Sequence, residues 1–465
     1  MTLLLAVNQA QTTGLASWNG GDTWIVVTAA LAAMACALPG CWLVLRQQSL
    51  MGDVLSHTTL PGLVMAFLAV HLLAASGLIP PENEPAARHL FLFCGALLTG
   101  ILSAFLAEWL QQFGQVESSA ALGVVLSTLF AAGLLMIRLF ADNVHVDPEC
   151  VLFGTIETVA LGEPGVPQAT LAVGAICLLN LLLTGLFFKE LRMTAFDPGL
   201  ATALGFPARI IHLGLMAVTS ATVVFAFESV GSILVVAMLI VPAAAAHLLT
   251  DRLSWLIGLS LGIAALSAIG GHVAAIVIPP LVFGWLGYAD VGAASTAGMT
   301  ALASGALFLL AWIAAPHHGL VSKIAGRLRL TFTIACEDIL GMLYRLDEAH
   351  LPADGVSLRF LVQEVRGHAR WVTRLAVAYL HRTSQLAYDA GGYRLTDAGR
   401  QHATHLVRSH RLWESYMARH FVLADDHLHA TASRLEHFIG PDLQTKLAAE
   451  LDSPQTDPHG KDIPQ

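Results

Sequence analysis

The sequence predicts an all-α protein in two parts, a polytopic α-helical membrane region followed by a soluble helical tail. Three observations carry that reading. The 465 residues are 55% hydrophobic and 12% charged, with a mean hydropathy of +0.66, where a soluble domain has about a quarter charged residues. Apolar runs of membrane-spanning length fill roughly the first 320 residues and then stop. Charge divides at the same place: residues 1–320 hold 16 acids and 7 bases, and the remainder holds 17 of each.

About twenty residues at 1.5 Å each cross a hydrocarbon core of ~30 Å. Runs of that kind lie at Trp24–Leu45, Asp53–Ala74, His89–Leu110, Ala120–Leu139, Val166–Phe188, Ile210–Phe227, Gly231–Leu249, Leu253–Gly271 and Thr296–Ala314. These make about nine spans, with eight or ten as the neighbouring counts, because HVAAIVIPPLVFGWLG (His272–Gly287) also reads as re-entrant. An N-terminus outside puts Arg46, Lys189, Arg192, Arg209, Arg252, Lys323 and Arg327 in inner loops, as the positive-inside rule asks, and makes the tail cytoplasmic. The outer loops then carry Asp22, Glu82, Glu84, Asp142, Asp147, Glu149, Glu157, Glu163 and Asp290 against Arg88 and Arg138. Such a surface concentrates cations, although the positive-inside rule alone also accounts for it.

Several classes are disfavoured. The six cysteines form no CxxC pair and mostly lie in apolar runs, so they read as small buried hydrophobes. The opening MTLLLAVNQAQ lacks the basic n-region of a cleaved signal peptide. No G-x-x-x-x-G-K-[ST] loop is present, so the chain is not expected to bind nucleotide or hydrolyse ATP by that machinery.

Within the second apolar run stands SLMGDVLSHTTLPG, Ser49–Gly62. Asp53 and His57, four apart, leave one face of one helix. A carboxylate with an imidazole suits a borderline divalent ion such as Mn²⁺, Zn²⁺ or Fe²⁺. An ionised Asp in a membrane costs about 2.5–3.5 kcal/mol on insertion scales, so it normally faces a partner or a wet pathway. The bland reading is a helix cap and a satisfied core histidine. Glu228, His247 and His272 are weaker candidates: a helix end or gate, a packing histidine and an interfacial one.

SLMGDVLSHTTLPGLVMAF resembles the signature of the manganese/zinc/iron-type ABC transporter permeases. SSAALGVVLSTLFAAGLL, FKELRMTAFDPGLATALGF, VGSILVVAMLIVPAAAAHL and APHHGLVSK agree in the same order, covering about residues 20–325. The resemblance implies that Asp53 and His57 are transient ligands in a translocation path. It also makes Thr194–Phe206 the helix that docks into a cleft of a separate ATPase, with Asp197 and Pro198 as N-cap and N1, Gly205 as the stop, and Ala201…Gly205 as a close-packed contact. Read without the resemblance, that stretch is an amphipathic connector.

The tail turns helical and soluble from about Thr333. CEDILGMLYRL and HARWVTRLAVAYLHRTSQL read as amphipathic helices, and LAYDAGGYRLTDAGRQHA turns at Gly391–Gly392 as a wing would. The run LTDAGRQHATHLVRSHRLWESYM…HLHATASRLEHFIGPDL resembles iron-dependent repressors of the diphtheria-toxin-repressor and manganese-regulator type. The resemblance implies one metal site of His410, Glu414 and His429, and a second from Asp338, Glu436 and His437. Ser433 and Gly341 stand where that family has ligands, which predicts a weakened second site. The divisions expected are a membrane permease domain over 1–322, a winged-helix-like domain over 328–390, a metal-binding and dimerisation-like helical domain over 391–452, and a disordered end over 453–465.

Together these imply the membrane permease subunit of an ATP-driven importer for a divalent transition metal (Mn²⁺ first, then Zn²⁺ or Fe²⁺), which is also a candidate regulator. The implied partners are a cytoplasmic ATPase, an extracytoplasmic metal-binding protein, a second permease subunit in a homo- or heterodimer, and the lipid of the cell (inner) membrane. Because the tail is electrically neutral, a metal-sensing role is favoured over DNA binding, which usually carries a basic footprint. The alternatives are a membrane-tethered metal-dependent transcription regulator and a gradient-driven secondary transporter. The first needs fewer spans, and the second needs more intramembrane charge in corresponding halves.

Overall fold

The computed structural model describes residues 18–77, 80, 84–140, 156–161, 165–287, 292–350, 355–365, 368–389, 392–421, 432–433 and 435–464. The chain divides into two compact units, Met1–Val321 and Ser322–Gln465.

In the first unit the helices are α1 (Gly20–Leu45), α2 (Leu50–Thr58), α3 (Leu60–Ala75), α4 (Glu84–Gly114), α5 (Ser118–Phe140), α6 (Gln168–Leu186), α7 (Phe188–Phe196), α8 (Pro198–Ala203), α9 (Ala208–Leu249), α10 (Leu253–Trp285) and α11 (Thr296–Ala314). Nine segments among the described residues are long and apolar enough to span a membrane. A capping box starts α1: Asp22 N–H donates to Asn19 Oδ1, and Asn19 N–H donates to Asp22 Oδ2. Its inner faces are Ala29, Ala32, Ala33 and Ala37, all buried, and small residues let helix backbones approach closely. At Gly40 a Cβ would lie 1.8 Å from the Leu239 carbonyl oxygen of α9, so α1 and α9 touch backbone to backbone. Leucines 178, 181, 182 and 186 of α6 face outward instead, as lipid-facing residues do.

Several polar groups inside the bundle are tied off across helices. Asn180 Nδ2 donates to Ala35 O (2.9 Å) and to Thr222 Oγ1 (2.8 Å), and Thr28 pairs with Thr170 at 2.6 Å. The 42 residues of α9 would run about 63 Å as one straight helix, twice a hydrocarbon core. Gly231, at φ 79° and ψ 169°, breaks the helix in a region that only glycine occupies readily. Helix α10 continues through Pro279 and Pro280 to Trp285, so the re-entrant reading of His272–Gly287 does not hold. Membrane helices tolerate such prolines.

The second unit begins within α12 (Leu320–Glu348) and continues with α13 (Leu358–Glu364), α14 (Arg370–Arg382), the antiparallel hairpin β1 (Leu386–Asp389) and β2 (Gly392–Leu395), α15 (Asp397–His420) and α16 (Pro441–Glu450). One core joins Ile339, Leu340 and Leu343 of α12 to Leu361, Ala376, Leu380 and Leu386. A second joins Leu412 of α15 to Ile439, Leu447, Leu451 and Ile463.

The end expected to be disordered is packed. Asp457 Oδ1 accepts from His459 N–H and Lys461 N–H at 2.9 and 2.8 Å, Thr456 bridges Asp462, and Ile463 is buried. Arg411 of α15 pairs with Asp457 at 3.6 Å and donates to Asp462 O. A polar, proline-containing composition suggested disorder; the acceptors it offers Arg411, which also pairs with Glu348, and the burial of Ile463 override it.

Candidate metal centres

Helix α2 buries Met51, Gly52, Val54, Leu55, Ser56 and Thr58. Its packed side is close, since a Cβ at Gly52 would sit 2.3 Å from Leu239 Cδ2. That leaves Asp53 and His57 on the other face, 40% and 43% exposed, with His57 Nε2 3.5 Å from Asp53 Oδ1. The edge of His57 meets Phe130 with centroids 5.7 Å apart. Ligands 3.5 Å apart, each about 2.1 Å from one ion, subtend roughly 113°, near the tetrahedral angle. The pair can therefore hold a cation from one side while its open side takes further ligands. Among the weaker candidates, His247 is exposed rather than packed; the side chain of Glu228 lies outside the described residues.

In the segment after α7, Asp197 Oδ1 accepts from Leu200 N–H at 2.9 Å and caps α8, with Pro198 in its first turn. Gly205 has φ 87°, so it ends the helix in the left-handed region. Ala201 is fully buried within the chain, which corrects the expectation that it meets a partner; Phe196, Leu200 and Leu204 are the exposed apolar residues there. The four-residue spacing of these three is the sequence signal for that exposed ridge.

In the second unit, ligand atoms of Asp338, Glu436 and His437 lie within 4.8 Å of one another. His437 Nδ1 is 2.7 Å from Glu337 Oε2, and its Nε2 is 3.4 Å from Asp338 Oδ1 and 3.9 Å from Glu436 Oε1. His368 Nε2 lies 2.8 Å from Asp338 Oδ2. Buried His410 joins this set to Glu414: its Nδ1 is 2.5 Å from Glu436 Oε2 and its Nε2 3.0 Å from Glu414 Oε1. The two expected sites are thus linked through one imidazole. His429 lies outside the described residues. His459, on the packed end, stands 3.9 Å from Glu414 Oε1. Glu337, His368 and His459 were not anticipated; the Glu337–Asp338 doublet was the available sign for the first.

Burial pulls His437 down, but Asp338 and Glu337 outweigh it and raise its pKa to about 9. His410 is likewise lowered by burial and raised, on balance, by Glu414 and Glu436. Burial would lift Asp338, yet hydrogen bonds from His437 and His368 hold its carboxyl below the usual range. Without a cation the imidazolium charge fills that place. The donors are oxygen and imidazole nitrogen with no thiolate, which fits Mn²⁺, Fe²⁺ or Zn²⁺. Gly341 has no side chain, so no side-chain ligand comes from that position. Among the described residues, the three ligand atoms of the set expected to be weakened do converge.

The family model "ABC 3 transport family" matches residues 23–281, and "Iron dependent repressor, metal binding and dimerisation domain" matches 396–465. The manganese transport system membrane protein MntD of Bacillus subtilis is 38% identical over 65% of this chain and 95% of its own length. The zinc transport system membrane protein TroD of Treponema pallidum is 38% identical over 64% of this chain and 75% of its own. Among solved structures, PsaBC from Streptococcus pneumoniae in complex with Fab superposes with a TM-score of 0.50 at 28% identity, covering 66% of this chain and 95% of that one. With its spanning helices, its Asp53–His57 face and these relatives, the chain belongs to the ABC 3 transport family, as a multi-pass membrane permease carrying an iron-dependent-repressor-like domain at its C-terminal end.

Proposed function

We propose that this chain is the permease subunit of an ATP-driven importer of Mn²⁺ or Zn²⁺, with Fe²⁺ as a further substrate, in the cell (inner) membrane. The observation that carries the reading is the Asp53–His57 pair, two metal-type ligands held 3.5 Å apart on the open face of a helix whose other face is packed. Two ligands hold a cation weakly, which suits a site that must release it. A second permease subunit facing this one would complete the coordination and enclose the ion.

An extracytoplasmic metal-binding protein delivers the ion, and a separate cytoplasmic ATPase supplies the work. Exposed Phe196, Leu200 and Leu204 around α8 offer that ATPase an apolar ridge. Asp197 and Gly205 fix the ridge's two ends, while Ala201 seats it on the chain. The C-terminal unit, on the cytoplasmic side, senses internal metal through Asp338, Glu436 and His437 with His410 and Glu414 adjacent, and His429 as a further ligand. Its role is regulation of transport or self-association rather than DNA binding.

The test is uptake of radioactive manganese and zinc by cells carrying Asp53→Ala or His57→Ala. Both variants should reach the membrane and lose uptake. Normal uptake by both would refute the assignment.

A further inference from the structure

Another aspartate–histidine pair, this one largely buried in the permease, stands where α1 and α11 begin. His272, past the middle of α10, is 3% exposed, and its Nε2 makes no hydrogen bond among the described residues. That nitrogen faces Asp22 Oδ1 at 3.4 Å. A buried polar atom without a hydrogen bond costs about 1–3 kcal/mol, so its retention asks for a reason.

The surroundings orient both groups. His272 Nδ1 lies 3.1 Å from Thr296 Oγ1. With that hydroxyl accepting from Nδ1–H, the lone pair is left on Nε2, the arrangement found in histidine metal ligands. The Thr296 backbone N–H donates to Glu157 Oε1 at 2.8 Å, bringing another carboxylate alongside. Asp22 Oδ2 accepts from Asn19 N–H at 2.8 Å, which leaves Oδ1 toward the imidazole. Trp18 closes over the ring edge to face, with centroids 5.4 Å apart. Two ligands 3.4 Å apart, each about 2.1 Å from an ion, subtend roughly 108°. The spacing repeats that of Asp53 and His57 within 0.1 Å.

We propose that Asp22 and His272 form a receiving site for the transported divalent transition cation at the outer end of the permease, with Glu157 at its rim. The proposal rests on the transport reading for its direction, since the outer end is the one opposite a cytoplasmic tail. An imidazole ligand selects Mn²⁺ or Zn²⁺ over Mg²⁺, which prefers oxygen and water. The ion would land here, partly dehydrated, before passing inward.

Trp18 provides a readout independent of transport, because bound Mn²⁺ is paramagnetic and quenches a ring this close. The full chain in lipid nanodiscs is titrated with Mn²⁺, and the Trp18 contribution is the difference from Trp18→Phe. Saturable quenching is expected, relieved by Zn²⁺ and not by excess Mg²⁺. Asp22→Asn and His272→Gln should abolish it, and Thr296→Val should weaken it about tenfold, as loss of a ligand's supporting hydrogen bond does. Should Asp22→Asn disturb the start of α1, His272→Gln alone decides. The Asp53→Ala/His57→Ala variant should keep the Trp18 signal, so failure of the pathway assignment and failure of this site are read separately. Quenching that persists in His272→Gln, or no Trp18-dependent quenching up to millimolar Mn²⁺, would overturn the proposal and leave the pair a helix-to-helix latch.

Discussion

Raising the pH should tighten metal binding by the C-terminal unit, and His437 sets the size of the effect. Its pKa of about 9 means that near neutrality the ring is protonated and held by Asp338 and Glu337. A metal takes only the neutral imidazole, so binding releases that proton. At pH 7 the displacement spans about two pH units, on the order of 2.7 kcal/mol or a hundredfold in affinity. The Kd for Mn²⁺ should therefore fall about tenfold per unit between pH 7 and 9, then level off. An ordinary histidine at 6.5 would already give a flat profile in that window. The metal-free unit should show the opposite trend. Stability from a raised histidine is fully present below pH 6.5 and is lost as pH climbs through 9, on the order of 3 kcal/mol here. Calorimetry on residues 322–465, in buffers of different ionisation heat, reads both affinity and proton count. A Kd unchanged from pH 7 to 8.5 with no proton released would refute the assignment of His437 as a ligand.

Three further outcomes are expected. Leu200→Asp or Leu204→Asp should leave the permease folded but reduce co-purification of the ATPase, whereas Ala201→Trp should lower the yield of folded chain because Ala201 is fully buried; equal co-purification by both leucine variants would count against the docking ridge. Gly62→Ala should destabilise by about 1–3 kcal/mol or more, since its Cβ would lie 2.1 Å from Gly95 O, and Gly214→Ala, with open space around it, should be near neutral; thermal unfolding in detergent compares them. Ending the C-terminal unit at Asp452 should cost on the order of 2–3 kcal/mol by stripping Asp457 and Asp462 from buried Arg411, and identical melting of fragments 322–452 and 322–465 would exclude that anchoring.

Much of this architecture was legible because it follows from solvent. Twenty-residue apolar runs have few options in a bilayer, so the spans read directly, and Asp53 with His57 stands out as a pair of metal-ligand side chains in such a run. What failed to read depends on partners distant in sequence. The helix runs on through Pro279 and Pro280, of which Pro279 is packed against the bundle, as membrane helices allow. The last residues pack because they bring acceptors to Arg411, some fifty positions earlier, and Ile463 to the core around Leu412. His459 and His368 reach their acids only across the tertiary fold, and neither spacing suggested a ligand. Ala201 shows the converse: a small residue at helical spacing marks close packing, but not which surface it packs against.

Gly231 has a consequence for how this region tolerates change. The spans on either side of it are joined with almost no slack, since the helix resumes at once on both sides. Inserting a single residue there would rotate everything downstream by about 100° about its axis. Val235, Met238 and Leu239, now buried, would swing away from α1, and the backbone contact at Gly40 would be lost. Epitope tags and protease sites belong elsewhere in this protein, and length variation among natural sequences should be absent at this position.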